Sequence, residues 1–307
     1  MKRYVANRLF LFLPTLLGTL TVVFFLIHLI PGDPIEVMLG ETASPADKEA
    51  LRRELGLHLP LWTQYLDFLR SLVVGDLGRA LSLQAPVTEL ILARVPATLE
   101  LTLAAMTVAL LIAFPLGIVA AVKKDSWIDR SSLLFSLFGV AVPNFWLGPV
   151  LMIVFSIELG WLPVSGRGGP GHLILPALTL GIGMAAILTR LIRSNLIGTI
   201  HEDYIRTARA KGLRERSVWL KHALRNSLLS VVTVLGLQVG ALLAGAVITE
   251  TIFAWPGIGR LTIQAIQARD YPLVQGCVLV ISASYLSVNL ATDLLYSLLD
   301  PRISYEK

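Results

Sequence analysis

Six long apolar runs constrain this chain more than any other feature of its sequence. A lipid hydrocarbon core about 30 Å thick is crossed by roughly 20 apolar residues in a helix. Backbone polar groups that have no water available must bond within the same segment, which favours helices. The sequence therefore predicts an all-α integral membrane protein with six transmembrane helices. The predicted spans are Leu9–Ile30, Leu101–Val122, Leu133–Ile157, the shorter Leu173–Leu188, Leu228–Thr249 and Pro272–Thr292.

The composition agrees with lipid as the main solvent. Hydrophobic residues make up 55% of the chain and charged residues 15%, whereas soluble domains carry about 25% charged residues. The formal charge of +5 does not indicate nucleic acid as a partner, because the cations lie in the gaps between apolar runs. The one cysteine, Cys277, lies inside such a run. We therefore expect no disulfide within the chain and no thiolate metal cluster.

Lys and Arg in short loops predict the orientation, because cationic loops stay on the cytoplasmic side. With six spans both ends lie on one side, which would carry 17 of these cations. The short loops of the other side hold only Arg167, Arg260 and Arg269. We therefore expect both termini in the cytoplasm, the first run retained as a helix, and the chain in the bacterial inner membrane.

Four regions follow from this topology. Residues 1–30 would form a tail and the first span, and 31–96 an extracytoplasmic loop with short helices. Residues 97–299 would form a five-helix core, and 300–307 a cytoplasmic tail. In the loop, Ser44-Pro45-Ala46-Asp47 is a helix-start pattern, and Gly56 is expected to end that helix. A second helix near Pro60 has one apolar face, which would lie on the membrane surface, a neighbouring span or a partner.

Segment 199–226, on the predicted cytoplasmic side, has the pattern of a helix-turn-helix elbow. Thr199 and Glu202 suggest a capping box and Gly212 a helix end, so a helix is expected over 201–211. A second amphipathic stretch leads into the fifth span. Such a short helix needs tertiary contacts to persist. The alternative interpretation is a basic linker adsorbed on anionic lipid headgroups.

Several strings in the chain resemble one family. Tyr204 to Leu213 (YIRTARAKGL), followed by His222 to Asn226 (HALRN), is similar to the coupling-loop signature of binding-protein-dependent ATP-binding-cassette permeases. Ala208, Gly212 and Leu224 keep that signature's general form. The match is closer to the dipeptide, oligopeptide, nickel and glutathione branch, in its first-permease subunit. Further strings resemble that branch in order along the chain: PGDP at 31–34, GDLG at 75–78, PATL at 96–99, FAWPGIG at 253–259, RDYP at 269–272 and DPR at 300–302.

The resemblance implies a type I importer (MetI-like) permease fold and defined partners. These are a second homologous permease, two cytoplasmic ATPases that bind ATP and Mg, and an extracytoplasmic solute-binding protein. The chain itself would bind no cofactor and would not be an enzyme, and the phosphate-loop dipeptide Gly-Lys never occurs in it. The elbow would sit on one ATPase. The coupling residues are Tyr204, Arg206, Thr207, Ala208, Arg209, Ala210, Lys211, Gly212, Leu213, His222, Arg225 and Asn226.

Two further sets of residues are candidates for the transport pathway. Small residues spaced by four along the fifth span indicate a close helix contact, with static packing as the plain alternative to a pathway or partner face. The loop Thr251–Tyr271 is either a re-entrant cap over the bundle, or a contact with the solute-binding protein or a gate above the pathway. The pathway candidates are Asn144, Gly236, Gln238, Gly240, Ala244 and Asn289, and the gate candidates are Phe253, Trp255, Gly257, Asp270 and Tyr271.

The functional prediction is an importer permease for small peptides, with nickel chelates, opines or glutathione as alternative cargoes. A self-contained secondary transporter would usually keep an ionisable group at the membrane midplane. Glu100, Glu158 and Glu250 instead lie near predicted external span ends, where water is expected. The five histidines lack ligand spacing, so no metal site is predicted. No clustered acids, histidines or nucleophile indicate a membrane enzyme.

Overall fold

The computed structural model describes residues 2–29, 34–39, 43–54 and 56–299, which are almost entirely helical. The predicted tail and the PGD of the PGDP string lie outside the described residues. An isolated antiparallel bridge joins Arg79 and Pro86. The helices are α1 (Lys2–Leu29), α2 (Pro34–Leu39), α3 (Pro45–Glu54), α4 (Leu61–Val74), α5 (Val87–Val122), α6 (Trp127–Ala141), α7 (Asn144–Met152), α8 (Pro170–Thr199), α9 (Asp203–Ala210), α10 (Glu215–Ser217), α11 (Leu224–Gly245), α12 (Val247–Ile252), α13 (Ile258–Gln267) and α14 (Tyr271–Leu299).

Four of these helices are long and apolar enough to cross a membrane, namely α1, α5, α8 and α14. A fifth span results if the bent pair Trp127–Ala141 and Asn144–Glu158 counts as one. In α11 the shorter stretch Ser230–Leu243 is apolar. Each predicted run lies on helical segments, the third across α6 and α7 and the fifth across α11 and α12, while Ile30 lies outside the described residues. The total of six spans stays a prediction.

The third run is broken rather than continuous. α6 ends at Ala141 and α7 begins at Asn144, and the two segments meet at 102°. Pro143 stands at the break in an extended conformation, with φ −69° and ψ 143°. A proline has no N–H to continue the helical ladder. Beyond α7 the chain continues as a π-helical segment over Ile153–Glu158. Pro115, by contrast, does not interrupt α5.

The core forms where α5 packs along α8. Ala105, Ala109 and Ala113 of α5 are fully buried. A Cβ on Gly181 of α8 would lie 2.7 Å from Val108, and one on Gly117 of α5 would lie 2.9 Å from Ile192. Small residues let two helix backbones approach this closely inside a membrane protein. The second and fourth predicted runs thus meet along a close seam of small residues.

The helices of the first loop begin and pack as local signals predict. The Asp47 N–H donates to Ser44 Oγ at 3.1 Å, and Ser44 Oγ donates to Asp47 Oδ2 at 2.7 Å. This is a cap for α3, and Gly56 follows that helix at φ +68°. α4 lies against α1, since Tyr65 and Thr21 share a 2.7 Å hydrogen bond and Phe68 stacks on Phe24. Three surfaces were predicted for the apolar face of α4, and in the structure this face packs on the neighbouring span, α1.

Candidate functional site

Within the predicted segment 199–226, residues 203–223 form a compact helix-turn-helix between α8 and α11, and we call these residues the elbow. α9 buries Ile205 completely and Ala208 nearly so. It ends in a left-handed turn at Gly212, with φ +75°. There the Leu213 N–H donates to the Ala208 carbonyl at 3.4 Å and the Gly212 N–H to the Arg209 carbonyl at 2.9 Å. This bonding is the Schellman pattern, and its left-handed residue is usually glycine because a Cβ is disfavoured there.

The start of α9 corrects one expectation. The predicted capping box of Thr199 and Glu202 is wrong, because Glu202 is the N-cap residue and makes no side-chain cap bond. Thr199 contributes its backbone carbonyl, which accepts from the Glu202 N–H at 3.1 Å. The helix therefore begins at Asp203 rather than at 201. Local sequence patterns identify the helix end better than its beginning, because the Gly212 turn depends on one residue's conformation.

The elbow is joined to the membrane core on its inner side. α10 runs into a π-helical segment, Val218–Ala223, that continues directly into α11. Val218 and Ala223 are fully buried, in the same apolar cluster as Ile205, Ala208 and Leu196 of α8. Cores pack densely and transmit displacement rather than absorbing it. A force on the elbow is therefore passed to α8 and α11 together.

The outer side of the elbow is exposed and cationic. Arg209 donates to both carboxylate oxygens of Glu215, from Nε at 2.9 Å and from Nη2 at 3.3 Å. This ion pair joins the end of α9 to the start of α10 across the turn. Arg206 pairs loosely with Asp203 at 3.6 Å. Lys211 has no ion-pair partner among the described residues. Exposed beside these are Tyr204, Thr207, Ala210, Gly212, Leu213 and Asn226, while His222 is half-buried and the Arg225 side chain lies outside the described part of the chain.

The small-residue face of α11 packs against α14 of the same chain. A Cβ on Gly236 would lie 2.0 Å from Thr292 Oγ1, and one on Gly240 would lie 3.2 Å from Tyr285. This contact is the static packing that the spacing predicts. Two buried polar atoms near it, Gln238 Nε2 and Asn289 Oδ1, have no hydrogen-bond partner among the described residues.

Of the two remaining pathway candidates, Asn144 is the one whose side chain is described. Asn144 is exposed at the start of α7, directly after the break that separates α7 from α6. The side chain of Ala244 is outside the described residues.

At the opposite end of α8 the chain forms a second feature, the cap, residues 250–260. Its centre is Glu250, which is fully buried. Thr98 Oγ1 donates to Glu250 Oε1 at 2.8 Å, and the Arg260 N–H donates to Oε2 at 2.9 Å. Burial raises the pKa of the Glu250 carboxyl, and the N–H groups of Arg260 and Gly259 and the Thr98 hydroxyl oppose that shift. The expectation that Glu250 meets water is therefore wrong.

The cap joins two of the sequence strings that resemble the permease family, FAWPGIG at 253–259 and PATL at 96–99. The Trp255 indole N–H donates to the Ala97 carbonyl at 2.8 Å, and the Ile258 N–H donates to Thr98 Oγ1 at 2.9 Å. Gly257 lies so close to Glu250 that an added Cβ would stand 2.1 Å from its carboxylate. The FAWPGIG and PATL strings are thus two sides of one buried junction. Sequence reasoning missed this link because no local pattern joins residues so distant in the chain.

Most of the gate candidates are buried in the described structure. Phe253, Trp255, Gly257 and Asp270 are buried, and Tyr271 is half-buried. Asp270 Oδ2 accepts from both the N–H (2.8 Å) and the hydroxyl (2.7 Å) of Ser82. In this conformation the four buried residues hold the fold of the cap end, and direct contact with another protein would fall to their exposed neighbours.

One further buried ion pair was not predicted. Asp129, in the first turn of α6, is 2% exposed and pairs with Arg193 of α8, whose Nη2 lies 2.7 Å from Asp129 Oδ2. The Asp125 N–H also donates to this carboxylate, at 2.9 Å. Ser126, which caps α6 through the Asp129 N–H at 3.4 Å, is a local signal that marks the helix start. It does not reveal the distant arginine.

Comparison with known proteins gives one family for the whole chain. Residues 113–305 match the profile described as "Binding-protein-dependent transport system inner membrane component". Residues 1–102 match the profile of the N-terminal part of the same kind of membrane component.

Relatives match this chain over their full lengths, among them a dipeptide permease and a glutathione permease. The dipeptide transport system permease protein DppB of Alkalihalophilus pseudofirmus is 44% identical over 333 aligned positions, which cover 99% of this chain and 100% of the relative. The glutathione transport system permease protein GsiC of Pectobacterium atrosepticum is 44% identical over 306 positions, covering 100% of both chains.

A solved structure agrees on the fold. A chain of the MetNI methionine ABC transporter in an inward-facing conformation superposes with a TM-score of 0.55 at 19% identity. The superposition covers 69% of this chain and 97% of that one. At this identity the likeness bears on the fold alone, and it supports the type I permease architecture.

Proposed function

The chain belongs to the family of inner-membrane components of binding-protein-dependent transport systems, and from this premise we propose its function in detail. It is the permease subunit of an ATP-driven importer that carries small peptides across the bacterial inner membrane. It crosses that membrane six times, with both ends in the cytoplasm. It binds no cofactor and catalyses no reaction, and its full assembly adds a second permease, two ATPases and an exported binding protein.

The elbow is the observation that carries this proposal. It presents the exposed groups Tyr204, Arg206 and Lys211 on one side and buries Ile205 in the membrane core on the other. A linker adsorbed on lipid headgroups would need no such burial. We propose that the elbow sits in a groove of one ATPase, and that closure of the ATPases moves it as a rigid body. The attached spans would then tip between inward and outward openings.

Arg209 has a different part in this scheme from its cationic neighbours. Because it is bonded to Glu215, we propose that it holds the elbow in shape. Arg206 and Lys211 would then supply most of the charge that meets the ATPase, with the remaining predicted coupling residues around them.

The pathway belongs to the same proposal. The unpartnered atoms of Gln238 and Asn289 are suited to bind water or cargo beside the contact of α11 with α14. Asn144 would contribute from the break in the third run. The cap would act as the outer gate, held by its buried junction and approached by the binding protein through its exposed neighbours.

The cargo follows from the relatives. The dipeptide permease supports small peptides. Glutathione is the second candidate, and a specific observation favours it. The alignment with the glutathione permease needs only 306 positions to cover both chains, whereas that with the dipeptide permease needs 333. The dipeptide relative therefore has additional residues that this chain and the glutathione relative lack.

Uptake in cells that lack their own peptide importers tests the proposal. Cells that produce this chain with its genomic neighbours should take up labelled dipeptide, and competition with glutathione would rank the two cargoes. Lys211→Glu and Arg206→Glu should each lower uptake at unchanged membrane abundance, because they reverse charge on the exposed face. Lys124→Glu, a reversal between α5 and α6 and outside the elbow, is the matched control.

Two results would count against the importer role. Normal uptake by the Arg206→Glu, Lys211→Glu double variant would contradict coupling through the elbow. Transport of solute by the purified chain alone in vesicles would contradict dependence on separate ATPases and would favour a self-contained carrier.

A further inference from the structure

A cavity of about 290 Å³ lies at the C-terminal end of α1, between that helix, α4 and the beginning of α14. This is roughly twice the ~150 Å³ that accommodates benzene in an engineered protein cavity, and just below the usual range of ligand pockets. The proposed pathway residues do not line it. Of the gate candidates only Tyr271 does.

The inside of the cavity is mainly aromatic and aliphatic. Phe24 and Phe68 lie with ring centroids 5.7 Å apart, and Leu72, Leu77 and Pro272 complete the apolar lining. One polar side chain is buried among them. Gln275 is 9% exposed and has no hydrogen-bond partner among the described residues. Because Gln275 lines the cavity, its amide group can bond to water or to a ligand that enters there.

The other inner polar groups are already satisfied. His28 Nδ1 lies 2.7 Å from the Phe24 carbonyl, and its Nε2 lies 3.3 Å from Gln64 Oε1. Gln64 in turn donates from Nε2 to the Leu59 carbonyl at 2.8 Å. These two side chains therefore present little free bonding capacity. Gln275 is the inner polar group left to orient a ligand.

The rim of the cavity is acidic. Asp67 and Asp76 line it from exposed positions, beside the hydroxyl of Ser71. Each carboxylate has one oxygen in a local bond: Asp67 Oδ1 accepts from Arg70 at 3.3 Å, and Asp76 Oδ1 accepts from the Gly78 N–H at 2.8 Å. Their second oxygens have no such bond in the described structure. No lysine or arginine is among the described residues that line the cavity.

This combination selects the chemical class of the ligand. Two carboxylates at the mouth, of which Asp67 is already ion-paired with Arg70, favour a cation and disfavour phosphate or carboxylate groups. Aromatic faces inside accept either an apolar body or the cation itself. We propose that this cavity binds small organic amines with a compact apolar body, with the ammonium group at Asp67 and Asp76 and the body against Phe24, Phe68 and the Gln275 amide. This site is separate from the proposed transport pathway.

Three probes that differ only in charge test the proposal on the complete transporter in phosphatidylcholine nanodiscs. They are phenethylamine, the neutral 2-phenylethanol and the anionic 3-phenylpropanoate, and binding is measured by saturation-transfer difference NMR titration. Phenethylamine should bind at least about fivefold more tightly than the alcohol, and the carboxylate should bind most weakly. Equal binding of the three probes, or binding equal to that of empty nanodiscs, would overturn the proposal without any variant.

Variants then locate the site. Asp67→Asn with Asp76→Asn should remove most of the preference for the amine, about two- to fivefold for each exposed carboxylate. Glu89→Gln removes a charge from an exposed position of α5 outside the cavity and should change nothing. Ser71→Trp, on the exposed rim, should block the cavity and abolish the specific signal. An amine signal that survives Ser71→Trp and the double Asp variant would place the binding elsewhere and refute this site.

Discussion

The ion pair between Arg209 and Glu215 leads to the most discriminating test of the elbow. Both charges belong to the same turn, and both side chains are partly exposed, at 40% and 61%. Exposed pairs of this kind contribute about 0.2–1 kcal/mol. Breaking the pair should therefore lower the equilibrium constant for forming the folded turn of the elbow by a factor of about 1.4 to 5. A charge desolvated against a partner protein costs more to lose, about 2–5 kcal/mol, which is about 30-fold or more.

These magnitudes separate two roles for Arg209. If it holds the turn, Arg209→Glu should lower uptake by no more than about tenfold, and Arg209→Glu with Glu215→Arg should restore uptake to within about twofold, because the pair is rebuilt in reverse. If the guanidinium instead contacts the ATPase, the exchange leaves a reversed charge at position 209 and restores nothing. We expect restoration.

The assay is the initial rate of labelled dipeptide uptake, divided by the amount of the chain in the membrane. ATP hydrolysis by the purified assembly, with and without the binding protein, measures coupling separately. Lys211→Glu provides the contrast, since it has no partner within the described elbow and no second change in the chain should rescue it. An exchanged variant as inactive as Arg209→Glu alone would refute the view that this pair is internal to the elbow.

Three further predictions concern buried or strained positions. Gly257→Ala should destabilise the assembly by about 1–3 kcal/mol through overpacking against Glu250, but should cost little in a Glu250→Ala background, where the added Cβ has room; additive losses of thermal midpoint would contradict this packing. Asp129→Ala should cost about 1–3 kcal/mol because it leaves the half-buried Arg193 guanidinium without its partner, and the paired change Asp129→Asn with Arg193→Gln should recover part of the midpoint; an unchanged midpoint in the single variant would show that the pair does not stabilise the fold. Gly212→Ala should lower uptake through about 1–2 kcal/mol of left-handed strain, and Gly212→Asn should lower it less; equal loss in both would argue that side-chain bulk, rather than backbone conformation, limits this turn.

Apolar run length predicted the presence of the long helices, and the cap signals, all but the Thr199 capping box, were correct, because these signals report on local forces. The Ser44 cap and the Gly212 turn lie where the sequence indicates them. Helix length was predicted less well. α5 begins at Val87 rather than Leu101, and α8 covers Pro170–Thr199 rather than a short 173–188. Hydropathy detects the part of a helix that lipid surrounds, and a helix continues wherever its polar ends are satisfied by other means.

Contacts between distant segments account for what the sequence did not predict. Spacing identified Gly236 and Gly240 as a close-contact face, but it did not identify α14 as the helix that covers them. The same limit applies to Asp129, whose partner Arg193 was counted only as a cytoplasmic cation. A charge count along the chain records how many cations a side has, and it is silent on which of them are neutralised by burial against another helix.

The burial of Glu250 bears on the alternative of a secondary transporter, because a buried carboxyl is what such a carrier uses to move a proton. The surroundings of Glu250 argue against that role. Its two oxygens accept hydrogen bonds from Thr98 and from the backbone at the start of α13, and these fixed donors hold the carboxyl group in place. Among the described residues it pairs with no cation that could take over its charge, and it lies beyond the apolar stretch Ser230–Leu243 of α11. A group held from several sides at the end of a span fastens segments together, whereas a proton carrier must meet water on each side of the membrane in turn. The buried carboxyl of Glu250 therefore has a structural role in the cap, where it connects α5, α12 and α13. The elbow remains the feature that distinguishes an importer permease from a self-contained carrier.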